Sequence, residues 1–361
     1  MNGPPDETPA GTPLRLGVLD QSPVSEGTTG SQALRNTIDL ARLVDDLGFG
    51  RYWVAEHHGG PLLAGASPEA LIGPIASATS RMRVGSGGVM LPHYSPLKVA
   101  ESFSVLAGLF PGRIDLGVGR AAGTDPNTTV ALQRDRTSGM LDDFPQQLTE
   151  LLAYLRDEMP ADHPFARLTA LPGLPETPEL WLLGSSPQSA LWAAELGLPY
   201  SFADFINPQG APFAHEYRAR FEASLEHPEP QVMIGVSAIC AETDEEAERL
   251  ASSVTMAMRL LRRGELIPVP TPETAERFLA QDGPRRRVLD GAATRGPGSR
   301  RMIVGAPDTV RRGIEQVAAE YGAQEVLVVT IVHDHEARRR SYELVAEAFA
   351  LSPSRPLVPA V

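Results

Sequence analysis

The sequence contains one cysteine and one lysine among its 361 residues. A single thiol, Cys240, cannot form an intramolecular disulfide, so we expect a chain that folds in a reducing compartment, the cytoplasm. No run approaches the ~20 apolar residues that a membrane-spanning helix needs. Residues 1–13 lack the basic and apolar segments of a signal peptide and are rich in Pro, Gly, Asp and Glu, which predicts a disordered N-terminal tail.

Positive charge is also scarce relative to negative charge. The 32 basic and 45 acidic residues give a net charge of −13. Because an acidic protein repels nucleic acid and anionic membrane surfaces, we expect neither as a partner. With 42% hydrophobic residues the chain can bury a large core, and its length allows one large domain or two ordinary ones.

Short apolar runs alternate with helical patterns along the chain. The predicted strands are residues 14–19, 51–58, 82–91, 113–119, 180–183, 200–202, 232–239 and 326–332. Serine–proline pairs such as Ser67-Pro68 and Ser95-Pro96 are typical of the helix starts between them. Eight strand-then-helix units predict a parallel sheet, and the count favours a closed (β/α)₈ TIM barrel over an open doubly wound sheet. No linker divides residues 14–361, so we expect a single domain.

The segment between the seventh helix and the eighth strand, residues 262–301, is longer than a barrel connection needs. It contains several prolines and the run Arg285-Arg286-Arg287. Two interpretations stay open: a solvated, partly disordered insertion, or a mobile lid over the top of the barrel.

The aromatic run of residues 51–58, RYWVAEHH, reads as a buried strand that ends on a carboxylate and two imidazoles. Strand side chains alternate between faces, so Glu56 and His58 share one face and His57 points to the other. Two adjacent histidines cannot easily ligate one metal from a regular strand, and we expect no metal site. We predict a functional role for His57 and interpret His58 as a core or rim residue.

The carboxyl ends of barrel strands carry the chemistry of this fold, and the fifth strand ends on Gly184, Ser185, Ser186 and Ser189. The free amides and positive dipole end of the following helix, with three hydroxyls, predict a phosphate cradle. Arg120, at the end of the fourth strand, could pair with the same phosphate. The alternative is simple helix capping by one serine. Other strand ends offer Asp20, Asp204 and the triplet His333-Asp334-His335.

Glycines interrupt the third strand at positions 85, 87 and 88. Interior glycine weakens a strand and usually marks a bulge or a close approach of the backbone. A flat ring lying against this backbone would explain them. The glycine-rich stretch of residues 117–123 has the wrong spacing for a dinucleotide-binding fingerprint, so we expect no Rossmann site.

Five segments, taken in order, resemble the bacterial luciferase-like flavin monooxygenases. They are residues 18–24 (VLDQSPV), 52–58 (YWVAEHH), 85–92 (GSGGVMLP), 112–120 (GRIDLGVGR) and 192–199 (WAAELGLP). The resemblance covers residues 14–199, and the eight-unit pattern extends it to the last helix. It implies a luciferase-like (β/α)₈ barrel that binds reduced FMN at its top and uses O₂ to oxygenate a small organic substrate.

The resemblance also implies roles for individual residues. Gly87 and Gly88 match a non-prolyl cis peptide that packs under the isoalloxazine ring. His57 matches a histidine used for acid/base catalysis, and Glu56 matches a neighbour of the flavin.

The phosphate site carries over in the same way. Arg120 matches a phosphate ligand, and Ser185, Ser186 and Ser189, which follow Gly184, match the phosphate-binding start of a helix. Luciferase itself has an acidic residue where this chain has Ser185, so neither light emission nor an aldehyde substrate follows.

Two partners are implied by the resemblance alone. A separate flavin reductase would supply reduced FMN, because the chain has no evident NAD(P)H site. A homodimer would pack through the second and third helices, where apolar residues are plentiful: Leu71, Ile72, Ile75, Val99 and Phe103.

Three alternatives remain beside this interpretation. The pair His333 and His335 suggests a metal-dependent hydrolase on the same barrel, although the other strand ends lack the histidines such enzymes use. A barrel that uses the deazaflavin F420 would have the same phosphate site. A non-catalytic flavin-binding protein is the third, since a fold and a phosphate site do not make an enzyme.

Overall fold

The computed structural model of the chain describes residues 13–121, 123–133, 143–173, 176–282 and 302–353. The predicted N-terminal tail, apart from Pro13, therefore lies outside the described residues. The second half of the predicted insertion, residues 283–301, also lies outside them.

Helices and strands alternate throughout the described ranges. The strands are β1 (Arg15–Asp20), β2 (Arg51–Val54), β3 (Arg83–Met90), β4 (Ile114–Gly119), β5 (Glu179–Gly184), β6 (Tyr200–Ala203), β7 (Val232–Cys240), β8 (Ile303–Gly305) and β9 (Glu325–Val329). The helices are α1 (Gly30–Leu47), α2 (Pro68–Ala78), α3 (Pro96–Leu109), α4 (Pro126–Leu132), α5 (Phe144–Arg156), α6 (Pro187–Glu195), α7 (Ala211–Arg220), α8 (Asp244–Leu261), α9 (Pro272–Gln281), α10 (Pro307–Tyr321) and α11 (His335–Ala348). Among these described helices, none is both long and apolar enough to cross a membrane.

Eight of the strands close into a parallel barrel, which confirms the predicted fold. Strands β1 to β6 pair in sequence order, β6 pairs with β7, β7 with β9, and β9 with β1. The predicted eighth strand corresponds to β9, which ends at Val329. The short strand β8 was not predicted, and it pairs only with the far end of β7.

The first half of the predicted insertion packs on the barrel. Val269 is fully buried, and its backbone exchanges hydrogen bonds of 2.8 Å with Val24 and Glu26. Helix α9 then packs along α8, where Pro272 and Ala275 are buried. The first half of the insertion therefore includes a helix with one buried face, whereas residues 262–266 are exposed. The choice between a partly disordered insertion and a mobile lid stays a prediction.

The apolar residues proposed for a dimer interface have a different place in the fold. Ile72, Ile75, Val99 and Phe103 are each at most 4% exposed, because they pack α2 and α3 onto the barrel of their own chain. Leu71, the fifth predicted residue, is only partly buried. The exposed apolar side chains of α3 are Val105 and Leu109. The sequence pattern therefore marked the inner faces of these helices, where a partner has no access.

The amino end of the barrel interior is filled by a charged cluster. Arg51 pairs with Asp115 and lies 3.0 Å from Glu325, and Arg83 pairs with Asp115 at 2.6 Å and with Glu179 at 3.0 Å. The side chains of Arg51, Asp115 and Glu325 are at most 5% exposed. Buried charges persist where each is paired and hydrogen-bonded, as these are.

Two tryptophans rest on this charged layer. Trp53 and Trp181 meet edge to face, with ring centroids 5.8 Å apart. The Trp53 indole donates to Asp115 at 2.8 Å, the Trp181 indole donates to a neighbouring carboxylate at 3.0 Å, and the Arg51 guanidinium lies 4.9 Å from the Trp181 ring. Gly85 belongs to this level, because an added Cβ would stand 2.5 Å from the Asp115 backbone. Charged side chains and aromatic rings therefore fill the part of the barrel near the amino ends of the strands. The open space lies toward the carboxyl ends.

Asp20, a candidate from its strand end, is a structural carboxylate. It is fully buried outside the barrel interior, where it accepts hydrogen bonds from Arg338 at 2.6 Å, from the Ser22 amide at 2.7 Å and from the Tyr52 hydroxyl. Burial alone would raise the pKa of Asp20, but the Arg338 guanidinium and the other donors hold it below its ordinary value of 3.8. The ion pair of Asp20 with Arg338 therefore adds its full share to the free energy of unfolding when the pH is above 3.8. This stabilisation is lost as the pH falls through the lowered pKa of Asp20.

We predict that Asp20→Asn lowers the free energy of unfolding by about 3–5 kcal/mol at pH 7, because it leaves the buried Arg338 charge without its counterion. Urea unfolding followed by circular dichroism measures the loss. Glu101→Gln is the control, since Glu101 pairs with Lys98 on the exposed surface and such pairs contribute roughly 0–1 kcal/mol. Equal effects of the two substitutions would contradict the role assigned to Asp20.

Candidate functional site

A cavity of about 290 Å³ opens at the carboxyl ends of the barrel strands, above the two tryptophans. Eight of the nine residues predicted for the site line this cavity: His57, Gly87, Gly88, Arg120, Gly184, Ser185, Ser186 and Ser189. The barrel brings these residues together from β2, β3, β4 and β5, although they span 133 positions of the chain from His57 to Ser189. This placement follows from the parallel sheet, in which all strands end at the same edge.

One wall of the cavity is bare backbone. The Gly87–Gly88 peptide is cis, as the resemblance implied, and the pairing of β3 with β4 shifts register there. A Cβ on Gly87 would stand 2.7 Å from a methyl carbon of Leu19, and one on Gly88 would stand 2.8 Å from the carbonyl oxygen of Gly117. Glycine at both positions therefore gives a flat surface against which a planar group can pack.

The start of α6 forms a second, polar wall. Ser186 is the N-cap residue of α6, but its side chain makes no capping hydrogen bond. The Ser189 hydroxyl lies 2.9 Å from the Ser186 carbonyl oxygen and 3.1 Å from the Tyr200 hydroxyl, and the Asn207 amide holds the Ser185 carbonyl oxygen at 2.9 Å. Simple capping by Ser186 does not describe this helix start. The free amides at the start of a helix, with the Ser185 and Ser186 hydroxyls nearby, are suited to an anion.

Arg120 borders the same wall. Its guanidinium lies 5.5 Å from the centroid of the Trp192 ring, and Trp192 is a residue of α6. Trp192 packs in turn against Phe144, with ring centroids 5.5 Å apart. The structure thus places one cation beside the serine-rich helix start, as the strand order predicted.

His57 lies on the cavity side of the end of β2. Its backbone amide donates to the Gly65 carbonyl oxygen at 2.8 Å, which fixes the main chain at this point. Its Nδ1 atom is buried and has no hydrogen-bond partner among the described residues. Burial, together with the nearby His58, lowers the pKa of His57 to about 4, so the imidazole is neutral at pH 7. A buried ring nitrogen without a partner is costly, and a ligand in the cavity could supply one.

Glu56 and His58 lie on the opposite side of the strand end, as the alternation predicted. His58 Nε2 is 2.6 Å from Glu56 Oε1, and Glu56 Oε2 accepts a hydrogen bond of 2.9 Å from the Met90 amide. Glu56 is fully buried and is not among the cavity residues. The structure therefore places it behind the wall of the cavity, where it ties the end of β2 to the end of β3.

The remaining strand-end candidates are dispersed. His333 Nε2 lies 3.2 Å from the Glu26 carbonyl oxygen, whereas His335 Nε2 lies 2.8 Å from the Asp39 carboxylate. Asp204 accepts a hydrogen bond of 3.0 Å from a buried tyrosine. The two histidines have separate partners, so the arrangement gives no support to a hydrolase metal centre at this strand end.

Apolar residues that the sequence did not identify complete the cavity. They include Leu19, Trp53, Met90, Phe144, Leu183, Trp192, Phe205 and Ile206. Alternation along β2 could have placed Trp53 on the same face as Ala55 and His57. Phe144, Trp192 and Ile206 come from helices and a loop, where no local pattern indicates which side faces the site.

A profile of the luciferase-like monooxygenases matches residues 14–325 of this chain. A protein of Escherichia coli strain K12 named luciferase-like monooxygenase is 38% identical over 92% of this chain and 96% of its own length. The N-acetyl-S-alkylcysteine monooxygenase of Bacillus subtilis strain 168 is 35% identical over 93% of this chain and 98% of its own length.

Solved structures agree with these matches. Apo-MsnO8 superimposes with a TM-score of 0.84 and 42% identity, covering 94% of this chain and all of its own. The oxygenating constituent of 3,6-diketocamphane monooxygenase from Pseudomonas putida, in complex with FMN, gives a TM-score of 0.67 at 20% identity, with 97% and 100% covered. An F420-dependent secondary alcohol dehydrogenase gives 0.60 at 15% identity, with 94% and 99% covered. The last two likenesses show the fold alone.

We predict that Gly88→Ala lowers the free energy of unfolding by about 1–3 kcal/mol, because its Cβ would meet a backbone carbonyl that cannot move aside. Chemical denaturation measures the change. Gly30→Ala is the control, since a Cβ at this helix start meets only Ala64 at 3.6 Å and alanine favours the helix by up to about 1 kcal/mol. A Gly88→Ala protein as stable as the unsubstituted chain would contradict the close approach.

Proposed function

Because the chain belongs to the luciferase-like monooxygenase family, we propose that it uses reduced FMN and O₂ to oxygenate a small organic substrate. The observation that carries this proposal is the composition of one cavity. It combines a backbone wall at Gly87–Gly88, an anion-binding helix start, and one imidazole whose buried nitrogen lacks a partner among the described residues.

The residues present fit FMN in three respects. The Gly87 and Gly88 peptides line the cavity as bare backbone, and an added Cβ on either would collide with neighbouring atoms, so glycine alone leaves this flat surface, which suits the isoalloxazine ring. The hydroxyls of Ser185 and Ser186, the amides of α6 and the Arg120 guanidinium suit a phosphate dianion. The Ser189 hydroxyl donates to the Ser186 carbonyl oxygen and so fixes the start of α6.

When bound, reduced FMN would supply two electrons and two hydrogens, so that one oxygen atom of O₂ enters the substrate and the other leaves as water. The chain's own residues would position the reactants and exclude bulk water, since Leu19, Trp53 and Leu183 line the cavity. His57 would accept or return a proton at its buried Nδ1 atom, the group that no described residue engages.

The substrate side of the cavity is apolar. Phe144, Trp192 and Ile206 line it, and they suit a small molecule with an alkyl or aryl group. The Bacillus subtilis relative carries the name of a monooxygenase of N-acetyl-S-alkylcysteines. A first substrate panel should therefore contain such thioethers beside small ketones.

We also propose a partner enzyme and an assembly state. A separate flavin reductase would provide reduced FMN in the cytoplasm. Two chains would form a homodimer across the outer faces of α2 and α3, where Val105 and Leu109 are 46% and 67% exposed.

Arg120→Ala should weaken the binding of FMN much more than that of riboflavin, because only FMN carries a phosphate for Arg120 to neutralise. We expect at least a tenfold increase in the dissociation constant of FMN, corresponding to about 1.4 kcal/mol. Fluorescence quenching of both ligands measures the difference.

The control for this experiment is Arg35→Ala, since Arg35 is exposed on α1. Equal losses for FMN and riboflavin would contradict the assignment of Arg120 to the phosphate. Running the same titration with F420 separates the cofactors, and tighter binding of F420 than of FMN would contradict the FMN proposal.

His57→Ala should leave the binding of FMN and the fold nearly intact while lowering reductase-coupled oxygenation about 10²-fold or more, the usual effect of removing a general acid or base. Product formation and thermal melting of the same protein are the measurements. His215→Ala, on the exposed side of α7, serves as the control. A variant that melts at a lower temperature yet turns over normally would show that His57 is structural.

Leu109→Glu should convert the proposed dimer to a monomer, because a charge on the exposed face at the end of α3 cannot be desolvated without a partner. Sedimentation velocity at micromolar concentration measures the assembly state. Leu266→Glu, which changes a 45% exposed leucine elsewhere on the surface, should remain dimeric. A monomeric unsubstituted chain would end this part of the proposal.

A further inference from the structure

The carboxylate of Glu56 is buried without a permanent positive charge beside it among the described residues. It is 0% exposed, and its ion-pair partner there is the imidazole of His58, 2.6 Å away. Two other buried carboxylates, Asp20 and Asp115, pair with arginine. A buried carboxylate is stable only where a proton, a cation or several donors balance it.

A second imidazole stands beside this pair. His93 comes from the 3₁₀ turn Leu91–His93 that follows β3, and its ring meets the His58 ring edge to face at 5.7 Å. One ligand atom from each of Glu56, His58 and His93 lies within 4.8 Å of the other two. Two segments of chain therefore bring two imidazoles and one carboxylate to one point.

Surrounding groups hold these three side chains in place. The Met90 amide engages Glu56 Oε2 at 2.9 Å, which leaves Oε1 directed at His58. The Gln133 amide nitrogen lies 3.1 Å from Nδ1 of His93, and the Tyr94 hydroxyl also bonds to Glu56. Partners of this kind orient the ligands of metal sites. Because the Gln133 amide nitrogen is a donor, it fixes the His93 tautomer with its hydrogen on Nε2, so ligation through Nε2 requires the Gln133 amide to rotate and present its oxygen to Nδ1–H.

We propose that Glu56, His58 and His93 bind a divalent transition-metal ion of the zinc type. Two imidazoles and one carboxylate, with water in a fourth position, form a donor set that zinc accepts. In this arrangement the ion takes the place of the hydrogen between His58 Nε2 and Glu56 Oε1, and the neutral imidazole that ligates the ion carries that hydrogen on Nδ1. The His58 side chain is 11% exposed, so an ion can reach the site from outside.

Binding one ion requires all three donor atoms to shift, because they now lie within 4.8 Å of one another and not at the spacing of a tetrahedral site. Donors at about 2.0–2.1 Å from a tetrahedral zinc ion stand roughly 3.3 Å apart, so the His58 and Glu56 atoms, now 2.6 Å apart, must separate by roughly 0.7 Å. Rotation of the His58 ring provides this movement, whereas Glu56 Oε2 can remain on the Met90 amide.

This site is separate from the proposed flavin cavity. Glu56, His58 and His93 do not line the cavity, whereas Met90 and His57 do. The metal would therefore lie behind the wall formed by β2 and β3. Its effect would be to strengthen the tie between the ends of these strands, without touching the substrate.

Titration of the full chain with Co²⁺, a spectroscopic substitute for zinc, tests the proposal without relying on activity. We expect one equivalent to bind, with the visible absorption of a low-coordinate cobalt ion, and Zn²⁺ to displace it. His93→Ala should weaken Co²⁺ at least tenfold, because it removes one of three protein ligands. His335→Ala should bind Co²⁺ like the unsubstituted chain, since His335 lies apart on α11 and contacts Asp39.

Three results would overturn the proposal. They are the absence of cobalt absorption at micromolar metal, unchanged binding by His93→Ala, or loss of binding in His335→Ala. In each case Glu56 and His58 would form a hydrogen bond and would bind no metal ion. His93→Gln, which keeps a polar side chain, repeats the test if circular dichroism shows that His93→Ala is unfolded.

Discussion

The pairing of Arg51 with buried carboxylates at the foot of the barrel determines how deep the cavity can be. Arg51 engages Asp115 and Glu325, and both it and the indole of Trp53 depend on the same Asp115 oxygen. This layer supports Trp53 and Trp181, which close the barrel from below. Because removing one partner of a buried charge pair destabilises a fold by several kcal/mol, the layer keeps the lower barrel full. The open volume is therefore confined to the carboxyl ends of the strands.

The end of β2 separates two kinds of chemistry by alternation. His57 faces the cavity, while Glu56 and His58 face the rear, although the three residues are consecutive. The rear pair reaches β3 through the Met90 amide, two residues beyond the Gly87–Gly88 peptide. Glu56, which links the ends of β2 and β3, and His57, the candidate for proton transfer, are therefore adjacent in sequence but face different parts of the fold.

The proposed phosphate site at the start of α6 depends on both local and distant contacts. The amides of α6 follow from the helix start alone, whereas Ser189 is held by Tyr200 of β6 and Ser185 by Asn207. Arg120 joins this site from β4 through its position over Trp192. Neighbouring strands of a parallel barrel place such groups side by side, so the residues that follow each strand in the sequence already indicate the members of the site.

Local patterns in the sequence determined the eight strands of the barrel (but not β8), the face of His57 and eight of the cavity residues, because side-chain alternation and strand order depend on neighbours in the chain. Only the tertiary structure decided that Glu56 lies behind the cavity, that His93 joins it, and that Ile72 and Phe103 are buried within their own chain. It also decided that Phe144, Ile206 and Val269 pack where they do. These outcomes depend on contacts between distant segments, whose packing no single stretch of sequence specifies.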